Sequence, residues 1–189
     1  MPHSASACSI RPATAADVSA IRAVASVAFP ATYGAILTAA QMDYMMAWMY
    51  APQSVAAQMT DDGHRFFLAE DAGGRPIGYV SVGPAEGADC ELHKLYVLPA
   101  WQGRGVGRAL FATALQWARQ EATGATRLVL HVNRHNAAQC FYRRMGMVIE
   151  RSGDFDIGHG FFMNDYIMVR PLHDDGPTPE RTTHSQNHC

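Results

Sequence analysis

Three glycines at alternating positions, Gly103, Gly105 and Gly107, mark the stretch of this chain whose residue types most directly suggest chemistry. Glycine allows a positive φ and lets the backbone approach a ligand closely. Amide groups at the start of a helix bind anions because they carry partial positive charge. Side chains that can donate hydrogen bonds interleave with the glycines: Gln102, Arg104 and Arg108. The stretch therefore predicts a phosphate-binding loop whose amides fit a pyrophosphate.

Two better-known phosphate loops do not match this spacing. The G-x-G-x-x-G pattern of dinucleotide-binding folds needs one more residue before its last glycine, and the G-K-[ST] ending of a nucleoside-triphosphate loop is missing. Nucleotide binding is therefore disfavoured. A tight strand-to-helix turn without a ligand is the structural alternative, although three glycines flanked by arginines exceed what such a turn requires.

Hydrophobic periodicity predicts the elements that must carry this loop. A short strand leads into a helix that is capped by Thr14 and expected to end at Pro30. The second helix carries methionines at helical spacing, which we interpret as core packing, with a pliable wall of a binding pocket as the alternative: Met42, Met45, Met46 and Met49. The order strand, two or three helices, three strands, helix, strand, helix and two strands indicates a single-domain α+β fold. Its central sheet is expected to be mixed and mostly antiparallel.

Composition limits the classes of function. The 189 residues suffice for one domain with its own core, and the formal net charge of −2 does not point to nucleic acid or to an anionic membrane. The 4 cysteines form neither a C-x-x-C pair nor a cluster with zinc spacing, so no metal is expected. The first ten residues lack the features of a signal peptide, and no apolar run approaches membrane-spanning length. We expect a cytoplasmic protein that acts as a monomer or homodimer.

The chain resembles the GNAT superfamily of acyl-CoA-dependent N-acetyltransferases in three segments. QGRGVG, residues 102–107, matches the Q/R-x-x-G-x-G/A signature of that superfamily, within LYVLPAWQGRGVGRALF. NRHNAAQCFYRRMGM is similar to its later N-x-x-A-x-x-F-Y-x-x-x-G-F block, with Met147 where Phe is usual, and IRPATAADVSAI is similar to its opening. The resemblance covers residues 9–172, which are assigned to an N-acetyltransferase domain with flexible termini at 1–8 and 173–189. It implies helices on both faces of the sheet and splayed fourth and fifth strands.

The resemblance also implies what the loop binds. The pyrophosphate belongs to coenzyme A, the co-substrate is acetyl-CoA, no metal takes part, and the pantetheine arm lies between the splayed strands. The superfamily's asparagine before the later helix maps onto Asn133 or Asn136, and Asn136 also fits a helix cap. The resemblance assigns these residues to the coenzyme: Leu95, Tyr96, Val97, Gln102, Gly103, Arg104, Gly105, Val106, Gly107, Arg108, Asn133 and Asn136.

Acetyl transfer to an amine needs a base for the amine, a donor for the developing oxyanion and an acid for the departing thiolate. The resemblance assigns the acid to Tyr142, which also fits a buried aromatic of an amphipathic helix, and the oxyanion donor to a backbone N–H near Leu95 or Tyr96. Strand alternation predicts that two candidate bases share a face with Leu95 and Val97: Glu91 and His93.

The choice between the two candidate bases stays open. Histidine titrates near neutral pH. Glu91 needs burial to raise its pKa, or else it holds the amine as a cation. The structural alternative is that both residues carry surface charge at the start of a strand.

The acceptor end is expected between the first two helices and the last hairpin. AFPATY and DIGHGFFMNDYIM are similar to bacterial small-molecule acetyltransferases, including the branch that acetylates spermidine. Three aspartates make the hairpin acidic, which suits a cationic amine, although solvated loop residues are the alternative: Asp154, Asp156 and Asp165. The expected function is direct transfer of acetyl to a primary amine of a small molecule in a ternary complex. A protein or peptide amino-group acetyltransferase and a non-catalytic acyl-CoA-binding module are the alternatives.

Overall fold

A seven-stranded sheet is the frame of the molecule. The structure is a computed structural model that describes residues 8–173. The strands are β1 (Ser9–Pro12), β2 (Arg65–Glu70), β3 (Pro76–Pro84), β4 (Asp89–Val97), β5 (Arg127–Asn133), β6 (Val148–Gly158) and β7 (Phe161–Pro171). The helices are α1 (Val18–Tyr33), α2 (Ala39–Met49), α3 (Pro52–Thr60), α4 (Val106–Gln120) and α5 (Ala138–Arg144).

The strands lie in the order β1-β2-β3-β4-β5-β7-β6, and every neighbouring pair is antiparallel except β4 with β5. Helices α4 and α5 pack on one face of the sheet, where they form one hydrophobic core. Helices α1, α2 and α3 form a second core on the other face. The predicted α+β fold with a mixed, mostly antiparallel sheet and helices on both faces is confirmed.

The parallel pair β4–β5 separates soon after it begins. Its register consists of Asp89 with Arg127, Cys90 with Leu128 and Glu91 with Val129. Beyond these pairs β4 continues to Val97 and β5 to Asn133 without pairing to each other. The splay that the resemblance implied is therefore present, and it leaves backbone hydrogen-bonding groups along both edges of a gap.

The prediction that Pro30 ends the first helix is wrong. Helix α1 runs on to Tyr33 with Pro30 inside it. Proline lacks the N–H that would bond to the carbonyl of Ser26, but Ser26 is exposed, so water can satisfy that carbonyl. The extra turn matters because it carries Tyr33 into the core beside β4.

Other local predictions hold. Thr14 and Asp17 form the predicted capping box ahead of α1, and the Thr38 hydroxyl accepts a hydrogen bond from the Gln41 amide at the start of α2. The methionines of α2 pack into the core on that face, as interpreted from their spacing. The proposed flexible termini fall outside the described residues apart from Cys8 and His173. Between residues 8 and 173 no helix has both the length and the apolar character that a membrane crossing requires.

Candidate active site

The glycine loop is shaped by two residues with left-handed backbone. Gly103 has φ of 73° and Gly105 has φ of 86°. A Cβ built at either position would meet no atom within 4 Å, so the conformation, and not crowding by the protein, requires glycine there. Residues 102–105 are exposed, and the concave side of the loop is therefore open to a ligand.

Helix α4 begins at this loop with free amides. Its first backbone hydrogen bond runs from the amide of Ala109 to the carbonyl of Gly105. The amides of Val106, Gly107 and Arg108 precede that bond and have no partner in the helix. The exposed guanidinium of Arg108 lies in the same turn. Together these groups give the helix terminus the free donors and the positive charge that the predicted anion site requires.

Two side chains of the loop, Gln102 and Arg104, contact other residues of the protein. The side-chain amide of Gln102 donates a hydrogen bond to the carbonyl of Val97, 3.1 Å away. Gln102 therefore ties the loop to the end of β4, whereas the sequence suggested a donor to phosphate. The Arg104 guanidinium lies 5.1 Å from the ring centre of Trp101, at cation–π distance.

Asn133 and Asn136 shape the turn between β5 and α5. The side-chain oxygen of Asn133 accepts a hydrogen bond from the His135 amide, and that of Asn136 accepts one from the Ala138 amide, both at 2.9 Å. The predicted capping by Asn136 is thus present. Each cap uses the carbonyl oxygen of the asparagine side chain. The side-chain NH2 group is not used in the cap and can donate hydrogen bonds.

Tyr142 of α5 is 8% exposed and belongs to the core under α4. Burial, together with the nearby Tyr33, raises the pKa of Tyr142 well above its ordinary value. Tyr142 therefore keeps its proton at neutral pH. The side chains of Tyr96 and Asn136 are near enough to Tyr33 to influence its pKa as well. Hydroxyl groups from α1, β4 and α5 thus gather beside the gap between β4 and β5.

The predicted shared face of Glu91, His93, Leu95 and Val97 is wrong. The register with β3 shifts within β4, so that Ser81 pairs with Lys94 and Val82 pairs with Leu92. A β-bulge at His93 explains the error, because the extra residue moves every later side chain to the opposite face. Leu95 and Val97 pack in the core under α4, and Tyr96 packs in the core under α1.

Glu91 and His93 nevertheless lie together. Nδ1 of His93 is 3.5 Å from Oε1 of Glu91, and the side chains are 18% and 24% exposed, respectively. Burial raises the pKa of Glu91, but the neighbouring histidines outweigh burial and leave the pKa below its ordinary value. Nε2 of His93 is buried and has no hydrogen-bond partner among the described residues. Glu91 is therefore ionised and is the more accessible member of the pair.

Two residues that the sequence reasoning missed complete this cluster. The His64 ring stacks on the His93 ring with 3.8 Å between centroids and 12° between planes. Burial, followed by the charges of His93 and Lys94, lowers the pKa of His64 to about 4. Lys94 donates a hydrogen bond to Gln58 over 2.7 Å, and burial lowers its pKa to about 8. His64 precedes β2 and lies far from β4 in sequence, so no motif signalled it.

The three aspartates of the last hairpin have different surroundings. Asp154 forms an ion pair with Arg134 and accepts a hydrogen bond from Asn164. Asp156 accepts a hydrogen bond from the Gly158 amide within its own turn. Asp165 is buried, and burial raises its pKa to about 6. Within residues 8–173, no three His, Cys, Asp or Glu side chains are grouped as a metal ion would need.

Residues 30–147, from the end of α1 through the loop to α5, match the acetyltransferase (GNAT) family. The chain belongs to that family. An N-acetyltransferase of Mycobacterium tuberculosis, described as uncharacterised, is 35% identical over 163 residues, which are 82% of this chain and 98% of the relative. This GNAT protein is accordingly an N-acetyltransferase that depends on acetyl-CoA.

Solved structures confirm the GNAT fold. The PaiA N-acetyltransferase of Thermoplasma acidophilum, in complex with coenzyme A, has a TM-score of 0.72 at 21% identity, covering 87% of this chain and 99% of that one. The spermidine/spermine N-acetyltransferase SpeG of Vibrio cholerae has a TM-score of 0.62 at 20% identity, covering 87% and 94%. At these identities the likeness establishes the fold and leaves the acceptor to the chain's own residues.

Proposed function

We propose that this GNAT enzyme transfers acetyl from acetyl-CoA directly to a primary amine of a small cationic molecule, with both substrates bound at once. The observation that carries the proposal is the splayed β4–β5 gap. At one end of the gap lies the open glycine loop, residues 103–108, which we call the cradle. Buried hydroxyl and acidic side chains lie along one side of the gap. We further propose that the enzyme works in the cytoplasm, as a monomer or homodimer and without a metal.

The cradle fits the diphosphate of coenzyme A in shape and charge. Free amides run from Gly103 to Arg108, left-handed glycines open the loop, and Arg104 and Arg108 add positive charge. Backbone groups of Leu95, Tyr96 and Val97 on one edge of the gap face the pantetheine arm. The N–H groups of Asn133 and Asn136 on the other edge serve as donors. When bound, acetyl-CoA supplies an activated acetyl thioester.

Tyr142 is proposed as the general acid. Its raised pKa keeps the hydroxyl protonated at neutral pH, and its position on α5 beside the gap suits a proton donor to a departing thiolate. The Tyr33 hydroxyl nearby contributes to that raised pKa. The chain thus holds a neutral donor where the reaction needs one.

The Glu91–His93 pair is proposed as the base. The pKa of Glu91 is lowered, so its ionised and accessible carboxylate holds the incoming ammonium, and His93, which lies against that carboxylate, receives the proton through it. Nε2 of His93 is sealed from solvent, which argues against His93 meeting the amine itself. His64, stacked on His93, covers the far side of the pair.

A small-molecule acceptor is preferred over a protein because helix α2 contacts the β6–β7 hairpin on the acceptor side. Helix α2 is tied to the β6–β7 tip, where Tyr44 donates to the Ile157 carbonyl and Gln41 to the Phe162 carbonyl. These contacts hold α2 against the hairpin, which supports a confined acceptor site rather than an open one. The similarity of AFPATY and DIGHGFFMNDYIM to polyamine-type acetyltransferases supports the same choice.

A thiol-release assay tests the proposed function. Purified protein is given acetyl-CoA with polyamines, amino acids, aminoglycosides and short peptides, and free coenzyme A is followed over time. We expect turnover with a small cationic amine. Turnover with peptides and with no small amine would contradict the proposed acceptor and support a peptide acetyltransferase instead. Coenzyme binding without any turnover would support the non-catalytic module instead.

A further inference from the structure

Asp165 is a buried carboxylate with an unused oxygen. The residue is 5% exposed, and its Oδ1 has no hydrogen-bond partner among residues 8–173. Its Oδ2 lies 4.0 Å from Nδ1 of His131, too far for a hydrogen bond. A buried, unpaired carboxylate destabilises a fold unless a ligand completes it.

Neighbouring charges do not fill this role. Arg134 approaches Asp165 closely enough to lower its pKa, but its guanidinium is paired with Asp154. Tyr33 of α1 is also buried, and the charge of Asp165 raises its pKa, but Tyr33 makes no hydrogen bond to Oδ1. On β6 the register partner of Asp165 is Gly153, which has no side chain to offer. None of these described neighbours therefore forms a hydrogen bond with Oδ1.

The position of Asp165 relates it to the proposed reaction site. Asp165 pairs with Asn133, the residue at the edge of the β4–β5 gap, and Ile167 pairs with His131 on the same face. Glu91 of β4 pairs with Val129, which lies two residues before His131 on β5. Because alternate residues of a strand share a face, Glu91, His131 and Asp165 lie on one face of the sheet.

We infer that Asp165 binds a second cationic nitrogen of the acceptor, so that the substrate class is a diamine or polyamine. The inference rests on the proposed function. The nitrogen that attacks the thioester must be neutral when it reacts, because its proton passes to the Glu91–His93 pair. That nitrogen cannot balance a buried carboxylate during the reaction. A nitrogen that stays protonated throughout can balance it.

Matched substrates and variants test this inference. Putrescine and n-butylamine have the same carbon chain and differ by one amino group, so the ratio of their kcat/KM values isolates the second cation. We expect the wild-type enzyme to favour putrescine by at least about tenfold, as for a desolvated charge pair. Asp165→Asn should bring the ratio near one, mainly by raising KM for putrescine. Asp156→Asn removes the same charge from an exposed side chain of the same hairpin, keeps an oxygen that can accept from the Gly158 amide, and should keep the wild-type ratio.

The outcomes separate the inference from the proposed function. If the wild type has the same kcat/KM for both amines, Asp165 does not bind a second cation, although the enzyme remains a small-amine acetyltransferase. If Asp165→Asn lowers kcat for both amines without changing either KM, Asp165 acts as a base and the inference is overturned. If no amine of the panel releases thiol while coenzyme A still binds, the proposed function itself fails.

Discussion

The proposed coenzyme half and the proposed acceptor half of this enzyme are built in different ways. The coenzyme half is one continuous piece of chain, from the end of β4 through Gly103 and Gly105 into α4, and it offers mainly backbone amides. The acceptor half joins His64 before β2, Glu91 and His93 on β4, and Asp165 on β7. Recognition by backbone leaves a contiguous sequence motif, whereas recognition by scattered side chains leaves none.

The two halves also differ in how their charge is satisfied. The loop is exposed and its groups are hydrated when no ligand is bound, so an empty cradle costs the fold little. On the acceptor side, Asp165 and Nε2 of His93 are buried without partners. Buried polar groups without partners lower stability. We therefore expect the acceptor half to give up stability in exchange for function.

Tyr142, which lies where the two halves meet, gives the largest expected effect. Tyr142→Phe should lower kcat on the order of 10²-fold, because general acids contribute at about that level. Coenzyme A affinity should stay unchanged by calorimetry. Tyr166→Phe removes a hydroxyl from a partly buried tyrosine on β7 outside the site and should keep kcat. An unchanged kcat in the Tyr142 variant, with chemistry rate-limiting, would remove Tyr142 from the acid role.

The cradle should fail independently of the acceptor half. Gly105→Asp places a side chain on a residue with φ of 86° and adds negative charge beside the diphosphate, so the Kd for coenzyme A should rise by about tenfold or more. Gly107→Ala is the control, because its Cβ would lie 3.8 Å from Phe141, an ordinary contact. Equal losses in both variants would argue that bulk anywhere in the loop, and not backbone geometry, decides binding.

The base pair should behave as one unit. Glu91→Gln and His93→Gln should each lower kcat by roughly tenfold. The kcat of the double variant should be only slightly below that of the less active single variant, since the effects of groups that act together are not additive. Glu86→Gln makes the same chemical change at an exposed residue before β4 and should have no effect. Fully multiplicative losses in the double variant would show two separate roles.

The smallest expected effect is a gain in stability on the acceptor side. The folded state raises the pKa of Asp165 to about 6, so its ionised form destabilises the fold. That penalty is absent at low pH, where the carboxyl is protonated in both states, and grows as pH rises from about 4 to about 6. Asp165→Asn should raise the Tm by a few degrees at pH 8 and by nothing near pH 4. A lower Tm at pH 8 would show that the carboxylate is satisfied in solution.

The same division explains what the sequence predicted. The loop, α4 and the order of helices and strands along the chain follow from glycine spacing and periodicity, and all of them are present. Two errors arose where one residue changes geometry locally. Pro30 was tolerated because its missing bond falls on an exposed carbonyl, and a bulge at His93 reversed the faces of β4. Neither effect has a signature in a single sequence, because tertiary packing decides both.

The sequence predicted which acidic residues lie on the acceptor side, but not how their side chains are arranged. The acidic character of the last hairpin was visible, but Asp154, Asp156 and Asp165 look alike in sequence. Only the register of β6 with β7 separates the two exposed residues from the buried one. His64 stayed hidden because stacking between distant segments leaves no local pattern.

A crystal structure of the coenzyme A complex tests the central claim most directly. We expect the diphosphate oxygens within hydrogen-bond distance, about 3 Å, of the amide nitrogens between Gly103 and Arg108. The sulfur should lie in the β4–β5 gap within reach of the Tyr142 hydroxyl. A diphosphate bound elsewhere, or a sulfur remote from Tyr142, would contradict the account.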